Sequence, residues 1–259
     1  MYSLLIKNAR IADGSGSAIF NGDIAIEGDK IAQIAPEIKT KAITTIDAEG
    51  LLVCPGFIDI QNHSDSYWQL FDNPNLDSLI TQGYTTIFVG QCGASLAPLL
   101  SQDSLLSLQK WHNLEGVSRD WGSFAELITT LSANTYGCNI GTLVGYDTIK
   151  RGLVGDSKEA LNEEEVGAVK SIIAEALDLG AFGLSLGLSY SHEIGTTTLQ
   201  LLPLATTVAE KNGLLSIHLR NEDSGILESI EETLELIRQT GVNTKISHLK
   251  IRGAQNWQY

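Results

Sequence analysis

Clustered basic charge, paired cysteines and long apolar runs are all missing from this sequence, and each absence excludes a class of protein. Lys and Arg number 17 against 31 Asp and Glu, a formal net charge of -14. No segment gathers the basic residues into the concentrated patch that phosphate binding needs, so a nucleic-acid partner is not expected. The cysteines, Cys54, Cys92 and Cys138, are odd in number and widely spaced, which fits thiols of a reducing compartment rather than a disulfide framework. No stretch approaches the roughly 18 consecutive apolar residues of a membrane span, and only a short apolar run precedes Lys7, so a soluble, cytoplasmic protein without a membrane partner is expected. No glycine-rich phosphate loop follows the first strand pattern, which removes support for a nucleotide-binding fold. What is present is apolar material: 43% of 259 residues, enough for one large domain or two modest ones.

Two grammars divide the chain at about residue 50. Residues 2–48 alternate short apolar runs with turn signals such as Asp13-Gly14 and Glu27-Gly28-Asp29, the pattern of an antiparallel β unit. Such a unit is too small for a core of its own and is expected to pack on something else. Residues 51–259 instead alternate strand patterns, at 52–60, 85–89, 140–144, 181–186, 214–219 and 245–249, with helical ones. One helix is capped by Asn162, opens on Glu163, Glu164 and Glu165, turns Val166, Val169, Ile173 and Leu177 inward and stops at Gly180. Another runs from about 223 to 240, with Ile226, Ile230, Leu234 and Ile237 inward and Glu228, Glu231, Glu232 and Glu235 on a solvated face. A third, near 198–212, holds Pro203, which is tolerated only near a first turn.

Repeated strand-helix units imply an α/β fold with a parallel sheet, either a (β/α)8 barrel or an open doubly wound sheet. Six units are legible. The ten residues after the last strand, 250–259, are too few to finish a crossover helix, so the chain is read as incomplete.

In such folds the C-terminal strand ends carry the chemistry. His63 follows the first strand, Cys92 the second, His218 ends the fifth and His248 ends the sixth. A single histidine at a strand end is commonly a hydrogen-bonded scaffold residue, but here four metal-binding side chains converge on one rim. Cys54 and Cys138 fall at the opposite strand ends and His112 in a connection, so these three are read as structural, and His192 as a loop histidine. Strand alternation puts Arg220 on the face of His218, and Lys250 on that of His248. Against a role there, Arg220 can pair with Glu222 and Lys250 can be a solvated loop residue. One thiolate with two imidazoles is a zinc ligand set with a fourth position open, and it requires the donor atoms of Cys92, His218 and His248 to lie within about 4 Å of one another.

The run Pro55-Gly56-Phe57-Ile58-Asp59-Ile60-Gln61-Asn62-His63-Ser64-Asp65 resembles the first-strand motif of the amidohydrolase superfamily. Together with Gln91-Cys92-Gly93, Gly187-Leu188-Ser189-Tyr190, His218-Leu219-Arg220-Asn221-Glu222, Ile246-Ser247-His248-Leu249-Lys250 and Gly253-Ala254-Gln255-Asn256-Trp257, it resembles the N-acyl-D-amino-acid deacylase (D-aminoacylase) family. The resemblance implies a metal-dependent (β/α)8 barrel, incomplete here, with residues 1–50 as part of a small β-sandwich built from both chain ends. It implies zinc on Cys92, His218 and His248, a weaker contact from His63, and Tyr190, Arg220 and Lys250 lining a pocket for a small-molecule N-acyl amino acid. The activity implied is hydrolysis of the amide bond of N-acyl-D-amino acids. Gln61 stands where the family has the first of two histidines, so a second metal site is expected to be weak or absent. The family's catalytic Asp follows the eighth strand, beyond Tyr259, so these residues by themselves are expected to be inactive. Other amidohydrolases acting on cyclic or linear amides, and a non-catalytic barrel, are the alternative readings.

Overall fold

The computed structural model describes residues 1–109, 113 and 119–259, so His112 lies outside the described residues. The chain forms two compact units, Met1–Phe57 and Ile58–Tyr259. No helix among the described residues is long and apolar enough to cross a membrane.

The first unit is a sheet ordered β3-β2-β1-β4, from β1 (Tyr2–Ile11), β2 (Phe20–Glu27), β3 (Lys30–Ala35) and β4 (Ala42–Asp47), with β5 (Leu52–Val53) also on β1. The expected antiparallel hairpins join β1 to β2 and β2 to β3, but β4 and β5 run parallel to β1. Its apolar clusters are small: Ala9, Ile11, Ile24 and Ala48 in one, Leu5, Ala25 and Ile38 in another. Ile31 and Ile34 on β3 and Ile43 and Ile46 on β4 are exposed.

In the second unit, β6 (Phe57–Asp59), which begins at the junction, is ordered with β7 (Tyr84–Val89) and β8 (Asn139–Thr142), while β9 (Val144–Gly145), β10 (Gly183–Gly187), β11 (Leu214–His218) and β12 (Asn243–Ile246) follow in sequence order, all pairs of the latter set parallel. Two strands expected as continuous are each split. The run 52–60 breaks between β5 and β6, where Pro55 has no N–H to give a ladder. The run 140–144 breaks at Leu143, whose N–H is donated to Val89 O on one side while Val144 pairs with Leu184 on the other. That residue therefore links the three-stranded and four-stranded sets.

Alternation then sorts the side chains. Ile87 and Val89, Leu184 and Leu186, and Leu215 and Ile217 point to the core shared with Ile149, Val169, Ile173, Leu204, Val208 and Leu236 of the helices. Between them Ser185 and Ser216 face the other way and are fully buried, which makes the inner face small and polar. The helix Glu163–Asp178 has the expected Asn162 cap, closed reciprocally by Glu165. Thr198–Glu210 starts on a Thr197–Gln200 capping box, so Pro203 lies in its second turn rather than its first.

The helix Ile226–Thr240 is rotated from expectation. It buries Ile226, Ser229, Thr233 and Leu236 and leaves Leu234 exposed. The polar members of that face bond locally, Ser229 Oγ to Gly225 O and Thr233 Oγ1 to Ser229 O, so their burial leaves no hydroxyl unmet.

Candidate metal and substrate site

The turn that carries Cys92 is built by backbone geometry that few sequences satisfy. Cys92 has φ 55, and the flanking Gly90 and Gly93 have φ 75 and 80. A Cβ on Gly90 would sit 2.1 Å from Leu143 O, and one on Gly93 1.9 Å from Glu193 Oε1, so both positions require glycine. Asp65, fully buried, receives Gly90 N–H at 2.7 Å and Ser66 N–H at 2.7 Å and so ties the loop after β6 to this turn. Burial pushes the Asp65 carboxyl up to about 6 despite those bonds. Gly93 N–H is donated to Ser185 Oγ on the inner face at 3.0 Å. The thiol is thereby fixed at the end of β7.

Candidate ligand atoms of Cys92, His218 and His248 lie within 4.8 Å of one another, slightly wider than a tightened zinc shell requires. Cys92 Sγ is 3.5 Å from His248 Nε2, and the rings of His218 and His248 meet edge to face with centroids 4.4 Å apart. His218 ends β11 as expected. His248 does not end a strand: β12 stops at Ile246, and His248 sits two residues on in a turn with φ 35. Two of the three converging residues thus hold a left-handed backbone, a conformation that persists only where the surroundings impose it.

Behind the imidazoles lies Glu222, nearly inaccessible to solvent. Its Oε1 is 3.0 Å from His248 Nδ1 and 3.6 Å from His218 Nε2, and Lys250 Nζ donates to both its oxygens at 2.7 and 2.6 Å. Burial opposes its ionisation, but the Lys250 bond and the neighbouring imidazoles prevail and hold the carboxyl below the usual range. Burial, with Lys250 beside it, lowers the His248 pKa and so favours the neutral ring that a metal ligand requires. His218 Nε2 also meets Ser189 Oγ at 2.8 Å, and the Tyr190 ring lies against it with centroids 4.9 Å apart. Burial and the nearby Cys92 charge push the Tyr190 phenol up, so it stays protonated.

The two cations expected on the pocket wall are both paired with carboxylates. Arg220 does not pair with Glu222. Its guanidinium is taken by Glu232 through Nε at 3.0 Å and Nη2 at 2.8 Å, and by the carbonyls of Ile194 and Thr196 at 2.7 and 2.8 Å. Glu232 is accordingly a partner rather than a member of a purely solvated acidic face. Lys250 takes Glu222 instead and reaches His248 Nδ1 at 3.1 Å, so it is not a free loop residue. Lys250 thus stays beside the His248 ring as alternation expects, whereas Arg220 is drawn to Glu232 beyond the end of β11, where the period of two no longer directs side chains.

On the other side of Cys92 stand His63 and Gln61, just past β6. His63 Nε2 is 3.9 Å from Cys92 Sγ but does not belong to the group of three whose ligand atoms all lie within 4.8 Å of one another, while Gln61 Nε2 is 3.4 Å from the same sulfur and 3.5 Å from His63 Nε2. The sequence reading passed over Lys245. Its Nζ donates to Ile60 O at 2.9 Å, to Gln91 Oε1 at 3.1 Å and, in a short contact, to Gln61 Oε1. Burial lowers its ammonium to about 8, against the pull of Cys92 and Asp59. The available signal was a lone lysine opening the strand pattern 245–249, three residues before His248. Glu222 could have been found as the acid four residues after His218. His192 lies in a turn, as expected of a loop histidine, but is buried there: its ring meets Arg151 and Asp156, and Lys150 Nζ donates to its carbonyl at 2.6 Å. Cys138 Sγ approaches Tyr84 O at 3.4 Å, while Cys54 is exposed.

No family model matches the sequence. D-aminoacylase of Alcaligenes xylosoxydans xylosoxydans is 32% identical over 256 residues, 99% of this chain and 52% of that protein. A solved structure of D-aminoacylase, described with a binuclear metal centre activated by one metal and attenuated by a second, matches with a TM-score of 0.91 at 28% identity, covering 99% of this chain and 53% of that one. N-acyl-D-glutamate deacylase from Bordetella bronchiseptica, solved with zinc and a phosphonate that mimics the tetrahedral intermediate, matches with a TM-score of 0.89 at 31% identity, covering 99% and 53%. The chain spans about half the length of the curated relatives it matches.

Proposed function

We propose, from the premise that this chain is homologous over nearly its whole length to the N-acyl-D-amino-acid deacylases of the amidohydrolase superfamily, that it supplies the metal-holding part of a hydrolase for the amide bond of N-acyl-D-amino acids. The observation that carries this reading is the convergence of Cys92, His218 and His248 within 4.8 Å. One thiolate and two imidazoles suit zinc and leave a fourth position for water. Bound there, zinc supplies polarisation of an amide carbonyl and a water acidified toward neutrality.

The remaining work falls to the chain itself. With the Nδ1 proton of His248 assigned to Glu222 Oε1, 3.0 Å away, the Nε2 lone pair turns toward Cys92 and the ring is strengthened as a ligand. Because Glu222 is committed to His248 and Lys250, it orients rather than carries protons; hydrolysis needs a further carboxylate that these residues do not assign. Tyr190 and Lys250 offer donors to the carbonyl and carboxylate of a substrate, and Arg220 joins them only by exchanging Glu232 for an incoming carboxylate. His63 is a weaker contact of the same centre. The exposed isoleucines of β3 and β4 support reading residues 1–50 as part of a composite β-sandwich, with 51–259 as about six units of a (β/α)8 barrel. Three cysteines outside any disulfide suit a cytoplasmic protein.

The test is binding of a phosphonate analogue of an N-acyl-D-amino acid to the zinc-loaded chain, which needs no proton transfer. The D analogue is expected to bind in preference to its L counterpart and to a hydantoin, and chelation is expected to abolish binding. Preference for the cyclic amide assigns a different amidohydrolase substrate, and binding that survives chelation removes the metal from the reading.

A further inference from the structure

The side of Cys92 away from the two imidazoles contains a complete ammonium site. Lys245 has three N–H donors and no acceptor, and all three find oxygen: Ile60 O at 2.9 Å, Gln91 Oε1 at 3.1 Å and Gln61 Oε1. Gln91 is itself held by Ser216 Oγ at 2.8 Å and donates to Ile60 O at 3.0 Å, so the cradle is rigid on the inner face. An ammonium can face only the oxygen of an amide. Lys245 therefore turns the Gln61 side chain so that its NH2 points the other way, toward Cys92 Sγ at 3.4 Å and His63 Nε2 at 3.5 Å.

We infer that Lys245 and Gln61 replace a second metal ion in this chain, the ammonium supplying the positive charge beside Cys92 and the oriented amide occupying the ligand lone pairs. The inference rests on the reading of Cys92, His218 and His248 as the holders of one ion. It goes beyond the poor ligand quality of glutamine, because it assigns the exclusion to a residue outside the motif. Two effects act together. An NH2 group presents hydrogens to the thiolate and the imidazole where a cation would need free lone pairs, and a fixed positive charge repels a divalent ion from the same place. His63 is accordingly an acceptor for Gln61, positioned on the rim by a hydrogen bond.

The inference separates the two residues experimentally. The 259-residue chain is loaded with excess zinc, freed of loosely held ion and analysed for metal; in parallel it is titrated with cobalt(II), read by thiolate-to-cobalt absorption, which reports only ions beside Cys92. One ion per chain is expected for the native sequence. Gln61→His, which restores the imidazole, is still expected to hold one because the ammonium remains. Gln61→His combined with Lys245→Leu, which keeps the apolar stem and removes the charge, is expected to hold two. Two ions in the native chain or in Gln61→His overturns the inference, as does a single ion in the double variant with a native circular-dichroism spectrum. The native-chain limb stands even if a variant fails to fold. No ion at all in the native chain overturns instead the metal reading beneath it, and the two failures are told apart by the count.

Discussion

The two sides of Cys92 differ in the sign of the charge buried behind them. Behind His218 and His248 lies the carboxylate of Glu222, 3.0 Å from His248 Nδ1 and placed to take that ring's N–H and leave Nε2 as a lone pair. Behind His63 lies the ammonium of Lys245, which acts through Gln61 to place N–H groups where lone pairs would be. The sulfur is common to both and the histidines are chemically alike. On the proposed reading, what separates a cation-binding side from a cation-excluding one is one layer further out, in a group that touches no metal.

The largest effect is expected from removing the shared atom. Structural zinc binding in small domains is worth roughly 10–16 kcal/mol over four ligands, about 3 kcal/mol or more for each. Cys92→Ser is thus expected to weaken zinc by about 100-fold or more in a competition titration with a chromophoric chelator. An unchanged affinity would mean that the ion sits elsewhere.

Next comes the carboxylate behind the imidazoles. Glu222→Gln removes the charge and keeps the shape, and loss of such an outer partner typically costs about 10–100-fold in metal affinity. If zinc affinity is unmoved while Lys250 loses its partner, Glu222 serves only the lysine and the contrast between the two sides fails.

Asp65 tests the frame that both sides share. Its folded pKa, near 6, lies above its ordinary value of 3.8, so the native state retains a proton that the unfolded chain has released between those values. The stability this carboxyl contributes is fully present below the ordinary value and is lost as pH rises through about 6. Asp65→Asn removes the titration; thermal melts across this range are expected to show the native chain losing ground to the variant as pH rises. Asp65→Ala, which orphans Gly90 N–H, is expected to cost about 1–3 kcal/mol.

The smallest effect belongs to Arg252, 3.9 Å from Glu222 with more than half its side chain in solvent. Exposed pairs contribute about 0–1 kcal/mol, so Arg252→Ala is expected to change zinc affinity by less than about fivefold. A larger loss would extend the outer layer to the surface.

Most of the rim is legible in the sequence because parallel strands deliver their C-terminal ends to one place. His63, Cys92 and His218 could be ordered around it from strand position alone. The assignments that failed share a cause. Arg220 lies beyond the end of β11 and pairs with Glu232, and Lys245 lies on a strand whose neighbour across the rim, Gln61, is 184 positions away in sequence. In each, the partner that decides the side chain's direction comes from another element, which no local period records.

By itself the amino-acid order determined the alternation of strand and helix, the capped helix after Asn162, the glycines around Cys92 and His218 at the end of its strand, because these depend on neighbours a few residues away. Only the tertiary structure decided which charge stands behind which histidine. Glu222 reaches His248 and Lys245 reaches Gln61 across distances that the chain closes by packing several strands side by side, and electrostatic sign acts through that proximity rather than through sequence separation.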